Sequence, residues 1–160
     1  MIFVYSRSIF GKGFMPFIFF VKIILGDEFM DCIFCKIIKG EIPSYTVFED
    51  DIVKVFLDIN PSTNGDLLIV PKNHYENILD IPTSVIEHIH LITKDMYKLL
   101  KNKLNIDGLT LVQNNFYGQE IKHYHLHVTP RYKDDNLVNS FNKDILIDVK
   151  EVFEKIKEAN

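Results

Sequence analysis

The chain has little cysteine, no run of basic residues and no unbroken apolar stretch long enough to cross a bilayer, and each shortage removes a class of function. Only two cysteines occur among 160 residues, Cys32 and Cys35 in "CIFC". A pair so tightly spaced is not the disulfide framework of a small secreted domain. Lys and Arg number 18 against 22 Asp and Glu, for a net charge of −4. Without a basic run there is no groove for many nucleic-acid phosphates, although a single small nucleotide could still bind. The longest apolar stretch, residues 14–25, is broken by Pro16 and Lys22, and it falls short of the roughly 20 residues that span a membrane. Internal repeats and low-complexity tracts are absent as well.

What is present is one domain's worth of ordinary globular sequence, 47% hydrophobic and 25% charged, long enough to bury a core. Residues 1–29 read differently. They hold no acid before Asp27, carry Arg7, Lys12 and Lys22, and place their aromatics without helical or strand period. Three readings fit: a disordered extension, a targeting segment without a clear cleavage site, or a start placed too far upstream of Met30. The domain is expected over residues 30–160.

From Asp31 the segments are short and cleanly punctuated. "CIFCKIIKGEI" predicts a brief helix or turn closed by Gly40 and blocked by Pro43. "YTVFEDD" and "VKVFLDI" predict a hairpin, and "DLLIVPK" a strand stopped at Pro71. Ser84-x-x-Glu87 matches a capping box ahead of Val85, Ile89, Ile92, Met96, Leu99 and Leu100, which predicts a helix of about five turns. His88 and His90 lie on different faces of it, where packing or exposed roles are expected. "LTLVQNN" predicts a strand and "NNFYG" a turn. Ile145, Val149, Val152, Phe153 and Ile156 predict an amphipathic C-terminal helix. The expected class is α+β, with a largely antiparallel sheet, one central helix and one C-terminal helix.

The segment "GQEIKHYHLHVTPRY" sets three of the six histidines on alternate positions. On a strand, His123, His125 and His127 would share one face, about 7 Å apart, with Tyr124, Leu126 and Val128 behind them and Pro130 ending the run. Cys32 and Cys35 could bring two thiolates onto one zinc, with two histidines completing a tetrahedral set. The alternative is a pair of buried free thiols. If zinc took one or two histidines, a strand histidine would remain free as nucleophile toward phosphorus or as general base, and its neighbour one pleat along could protonate a leaving group. Gly118, just before the strand, lets a backbone N–H approach an anion. This combination points to phosphoryl or nucleotidyl transfer. A competing reading puts all three strand histidines on one hydrolytic zinc, against which stands their span of roughly 13 Å.

"HYHLHVT", residues 123–129, resembles the histidine triad (HIT) motif, His-φ-His-φ-His-φ-φ with φ apolar, and only Thr129 departs in polarity. "CIFCKIIKGEIPSYTVFEDD" and "FLDINPSTNGDLLIVPKNH" also resemble their counterparts in small bacterial-type and Hint-like HIT hydrolases. The resemblance implies a HIT-like α+β fold and a covalent mechanism. His125 would attack the α-phosphorus and form a nucleotidyl-imidazole intermediate that water cleaves, while His127 assists the leaving group. It implies structural zinc on Cys32, Cys35, His74 and His123, ribose binding at Asp58, and phosphate contacts at Asn114, Gly118 and Glu120. Glu120 stands where many relatives have serine, Asp66 where they often have histidine, and the short "NNFYGQ" turn makes Asn115 a rival for the place of Asn114. Histidine rather than glutamine at the third triad position favours hydrolysis over transfer to a second sugar phosphate.

The function expected on this resemblance is a nucleotide hydrolase or nucleotidyl transferase acting on purine nucleoside phosphoramidates or related AMP conjugates. Dinucleoside polyphosphate hydrolysis is the first alternative, and a zinc-stabilised nucleotide-binding or partner-binding module with vestigial catalysis the second. A homodimer is implied, with no nucleic-acid partner. A cytoplasmic place is expected for the domain, with organellar targeting by residues 1–29 as a further possibility.

Overall fold

The computed structural model describes residues 32–136 and 143–158; the expectations for residues 1–29 lie outside the described residues. Helix α1 (Ile33–Ile38) leads into strands β1 (Thr46–Glu49), β2 (Val53–Leu57) and β3 (Leu67–Pro71). Helix α2 (Thr83–Leu104), strands β4 (Gly108–Val112) and β5 (Leu126–Arg131), a 3-10 turn (Lys143–Ile145) and helix α3 (Val149–Glu158) follow. The sheet order is β1-β2-β3-β5-β4, with every neighbouring pair antiparallel. The α+β class read from the sequence is the fold observed.

The β1–β2 hairpin closes because Asp50 Oδ1 accepts the backbone N–H groups of Ile52 and Val53, each at 2.8 Å. Strand β3 is buried at all five positions, since both of its faces are covered. Leu67 and Ile69 join the core under α2. Leu68 and Val70 join a second cluster with Phe34, Ile37 and Phe56 beneath α1. This explains why "DLLIVPK" lacks the alternation of a half-exposed strand. On α2, Ile89, Ile92, Met96 and Leu100 form the buried stripe, at the three- and four-residue spacing of one helix face.

Two sequence expectations for α2 need correction. The helix runs 22 residues, about six turns rather than five. Its N-cap is Pro82, with no side-chain capping bond, so Ser84 lies inside the first turn and cannot act as a cap. The Pro82 carbonyl accepts the N–H groups of Val85 and Ile86; proline starts the helix by its fixed φ, with no donor of its own to leave unpaired. His88 ties the helix to the hairpin through Asp50, Nε2 to Oδ2 2.7 Å, and His90 Nδ1 donates back to the Ile86 carbonyl at 2.9 Å.

The histidine segment also departs from its expected form. Strand β5 begins only at Leu126, so His127 alone of the three histidines lies on it. Ahead of it the backbone bonds elsewhere: His123 N–H to the Ile121 carbonyl at 2.8 Å, and Tyr124 N–H to the Tyr75 carbonyl at 2.6 Å. The alternation survives without the ladder. Tyr124, Leu126 and Val128 enter the core under α2, while Phe34 of α1 packs edge-on against the rings of His123 and His125 at 5.9 and 5.2 Å.

Pro130 does not end the run, which continues to Arg131 and pairs with β4 at Leu109↔Pro130. The β3 ladder has already stopped at Leu67↔Val128, so no partner on that side needs an N–H from residue 130. The Pro130 carbonyl instead accepts Thr63 Oγ1–H at 2.7 Å. At the C-terminal end, Ile145 belongs to the 3-10 turn rather than to α3, and Val149, Phe153 and Ile156 of α3 are exposed.

Candidate active site and metal centre

Two clusters meet where α1 crosses the start of β5. In the first, Cys32, Cys35, His74 and His123 each offer one ligand atom, and these atoms all lie within 4.8 Å of one another. Cys32 Sγ is 3.5 Å from His123 Nδ1, and Cys35 Sγ is 3.3 Å from His74 Nδ1 and 3.6 Å from His123 Nδ1. Ligand atoms around one tetrahedral zinc stand about 3.3 to 3.8 Å apart. The His123 ring is also fixed in the right tautomer. Its Nε2 sits 2.9 Å from the Pro71 carbonyl, an acceptor only, so Nε2 carries the hydrogen and Nδ1 presents its lone pair to the sulphurs.

Burial sets the protonation of this cluster. It pushes the His123 imidazolium down to about 4 and lowers His74 as well, so both rings are neutral at pH 7, as metal ligands must be. Burial and the adjacent Cys32 push the Cys35 thiol up to about 12. A bare Cys35 would therefore stay protonated, and an incoming dication would displace that proton. Two thiols and two neutral imidazoles at these spacings form a cluster that could hold a metal ion.

The second cluster lines a cavity of about 620 Å³, within the usual range for small-molecule sites. Phe34, Ile37, Ile42, Phe56 and Leu68 supply an apolar wall, and Asp58, Asn114, Gly118, Glu120, His125 and His127 the polar rim. All six residues expected at a nucleotide site are thus on one cavity, and the four expected metal ligands are off it. Of the two asparagines, Asn114 lines the cavity. Asn115 is committed elsewhere, accepting the Ile78 N–H at 2.8 Å and pairing with the Gln113 amide. Gly118 has φ +84, and nothing lies within 4 Å of where a Cβ would stand; the backbone conformation, not crowding, calls for glycine there.

His125 is 6% exposed, and its Nδ1 lies 2.6 Å from the His123 carbonyl. Because a carbonyl only accepts, Nδ1 holds the hydrogen and Nε2 is left with the lone pair. Burial lowers the His125 pKa, with the neighbouring His127 adding to the effect, while the bond to His123 and the carboxylates of Asp58 and Glu120 oppose it. The His127 ring stands 5.1 Å from that of His125, and its Nδ1 is 3.8 Å from Asp58 Oδ2. The other Asp58 oxygen accepts the Asn60 N–H at 2.8 Å, which fixes the carboxylate at the cavity rim.

The HIT domain family matches residues 39–134. The chain belongs to the HIT family. It is 44% identical over 128 residues to an uncharacterized HIT-like protein of Methanocaldococcus jannaschii, covering 79% of this chain and 98% of that one. It is 40% identical over 102 residues to an adenosine 5′-monophosphoramidase of Saccharomyces cerevisiae, covering 62% of each. Among solved structures, a zinc-bound histidine triad family protein from Mycobacterium smegmatis superposes with a TM-score of 0.66 at 27% identity, covering 82% of this chain and 99% of that one.

Some site residues escaped the sequence reading. Phe34, between the two cysteines, packs on both buried histidines, and Ser44 and Ser62 line the cavity. An aromatic residue inside a C-x-x-C and a serine four residues after Asp58 were the available signals, but neither carries a direction without the fold.

Proposed function

We propose that the protein hydrolyses purine nucleoside 5′-phosphoramidates or related AMP conjugates through a covalent intermediate on His125. The observation that carries this reading is the tautomer of His125: its Nδ1 hydrogen is held by the His123 carbonyl, which leaves Nε2 as a nucleophile on a side chain lining the cavity. Nε2 attacks the α-phosphorus, a P–N bond to His125 forms, and the bond to the leaving group breaks. His127, one pleat along, hands a proton to the departing amine or oxygen and then takes one from the attacking water. Water breaks the His125–phosphorus bond and AMP leaves. Asp58 is assigned the ribose hydroxyls, and Asn114, Gly118 and the Glu120 backbone the phosphate. The monophosphoramidase relative supports the substrate class.

We assign zinc to Cys32, Cys35, His74 and His123, in a structural role that supplies no step of the reaction. All four protein donors are used, so no open position remains for water. The homodimer implied by the family resemblance belongs to the same proposal, with the exposed face of α3 as its apolar surface.

The His125 environment fixes the sign of the pH dependence. The nucleophile must be neutral, and burial places its pKa below the ordinary 6.5. The acid limb of the activity profile is therefore expected to have its midpoint below 6.5. A kcat/KM profile whose acid limb is centred at or above 6.5 would contradict the assignment. The substrate class is tested by AMP release from adenosine 5′-phosphoramidate and diadenosine tetraphosphate side by side; faster turnover of the second would move the reading to dinucleoside polyphosphates. Nucleotide binding with no turnover of either would leave a binding module.

A further inference from the structure

Two places where the chain departs from the HIT pattern, Thr129 and Asp66, are bonded to each other. Thr129 Oγ1–H donates to Asp66 Oδ1 at 2.9 Å, and both residues are buried, at 5% and 2% exposed. Asp66 Oδ2 accepts the Ser62 N–H at 3.0 Å. The Asp66 carbonyl accepts the Asp58 N–H, also at 3.0 Å. A buried carboxylate is costly unless its oxygens are bonded in a fixed geometry. Here that geometry closes the loop between β2 and β3 at both ends, and Asp58, Asn60 and Ser62 on that loop line the cavity.

The same loop is tied twice more, to β5 and to the residue just after it. Thr63 Oγ1–H donates to the Pro130 carbonyl at 2.7 Å, and Tyr132 O–H to the Asn64 carbonyl at 2.9 Å. Gly65, with φ +86, lets the loop turn against α2, where a Cβ would come within 2.5 Å of Leu104. "TPRY", residues 129–132, which begins two residues after His127, is thus a clamp on the loop that presents Asp58.

We propose that Thr129 and Asp66 are positioning residues that set the Asp58 carboxylate and so determine the site's preference for nucleotides with an intact 2′,3′-diol. This rests on the reading of Asp58 as the ribose contact. The chain from Thr129 to Asp58 runs through one hydroxyl, the Asp66 carboxylate and one backbone bond, with Ser62 N–H held by the same carboxylate. Removing the hydroxyl frees the loop to shift, and a small shift at Asp58 costs the diol contact while leaving the apolar wall and the histidines in place.

The test is calorimetric binding of AMP and 2′,3′-dideoxy-AMP to the full chain, as wild type, Thr129→Val and Thr129→Ser. Wild type should prefer AMP. Thr129→Val should weaken AMP about tenfold, leave the dideoxy compound within about twofold and so erase most of the preference, while Thr129→Ser, which keeps the hydroxyl, should restore it. Equal weakening of both ligands, or an unchanged ratio, overturns the inference. If Thr129→Val does not fold, Thr63→Val removes a second tether and must lower the AMP to dideoxy-AMP ratio at least threefold. A wild type that binds neither ligand overturns the nucleotide-site reading itself, whereas binding without preference overturns only the role of Asp58 and the inference built on it.

Discussion

Replacing His125 with alanine is expected to lower AMP release from adenosine 5′-phosphoramidate by about 10⁴-fold or more. The size follows from what the side chain does. It is the only group given the job of bonding to phosphorus, and without it water must attack directly in a site built to hold an imidazole. His127→Ala should cost less, since water can replace a proton donor on a partly exposed side of the cavity. Nucleotide binding should survive both changes, because the apolar wall and Asp58 remain. Steady-state rates with AMP affinity measured in parallel check this. Activity within tenfold of wild type in a folded His125→Ala protein would remove the covalent mechanism.

The second large effect concerns the metal. Elemental analysis of freshly purified protein should find about one zinc per chain, and the Cys32→Ser, Cys35→Ser double variant none. Losing it should lower stability by about 3 kcal/mol or more, seen as a melting temperature roughly 10 °C lower. The cluster joins α1 to the segment ahead of β5, two pieces of chain otherwise held on this side by the small Phe34 cluster. Acid should have a similar effect. The unfolded His123 takes up its proton near 6.5 and the folded one only near 4. In the metal-free chain the contribution of His123 to stability is thus full above pH 6.5 and declines as pH falls toward 4; with metal bound, protons compete with the ion for the same ligands, so acid releases it. Loss of the metal should also depress turnover, because the His123 carbonyl that orients His125 belongs to a ligand residue. A protein that purifies metal-free and melts at the same temperature with and without chelator would refute the assignment.

Local signals carried much of this architecture. The turn residues Asp50 and Asp51 marked the first hairpin, the apolar spacing of Ile89, Ile92, Met96 and Leu100 marked α2, and the alternate histidines marked the side of the chain, at and just ahead of β5, that carries both clusters. What could not be read depended on distant partners. That β5 starts at Leu126 follows from the Tyr124 N–H bonding to Tyr75, 49 positions away in the chain. That Pro130 continues a strand follows from where the neighbouring ladder stops, and that Ser84 caps nothing follows from Pro82 starting the helix first. That zinc on the cysteines would leave a strand histidine free was legible from the residues, beside the thiol pair and the three-histidine metal site as competing readings; which histidine joins which cluster was legible only through the family resemblance. Asp66 and Thr129 registered in the sequence only as departures from a pattern, since nothing local says that two residues 63 positions apart share a hydrogen bond.

The central claim is that His125 bonds covalently to the α-phosphorus, and the most direct measurement is capture of that species. Wild type mixed with adenosine 5′-phosphoramidate, quenched within milliseconds under alkaline denaturing conditions and digested, should yield a peptide spanning residues 123–131 that carries one adenylyl group on His125. The His127→Ala variant, slower to hydrolyse the intermediate, should accumulate more of it, and His125→Ala none. Steady turnover by wild type with no adenylylated peptide in either wild type or His127→Ala would contradict the account and leave direct attack by water in its place.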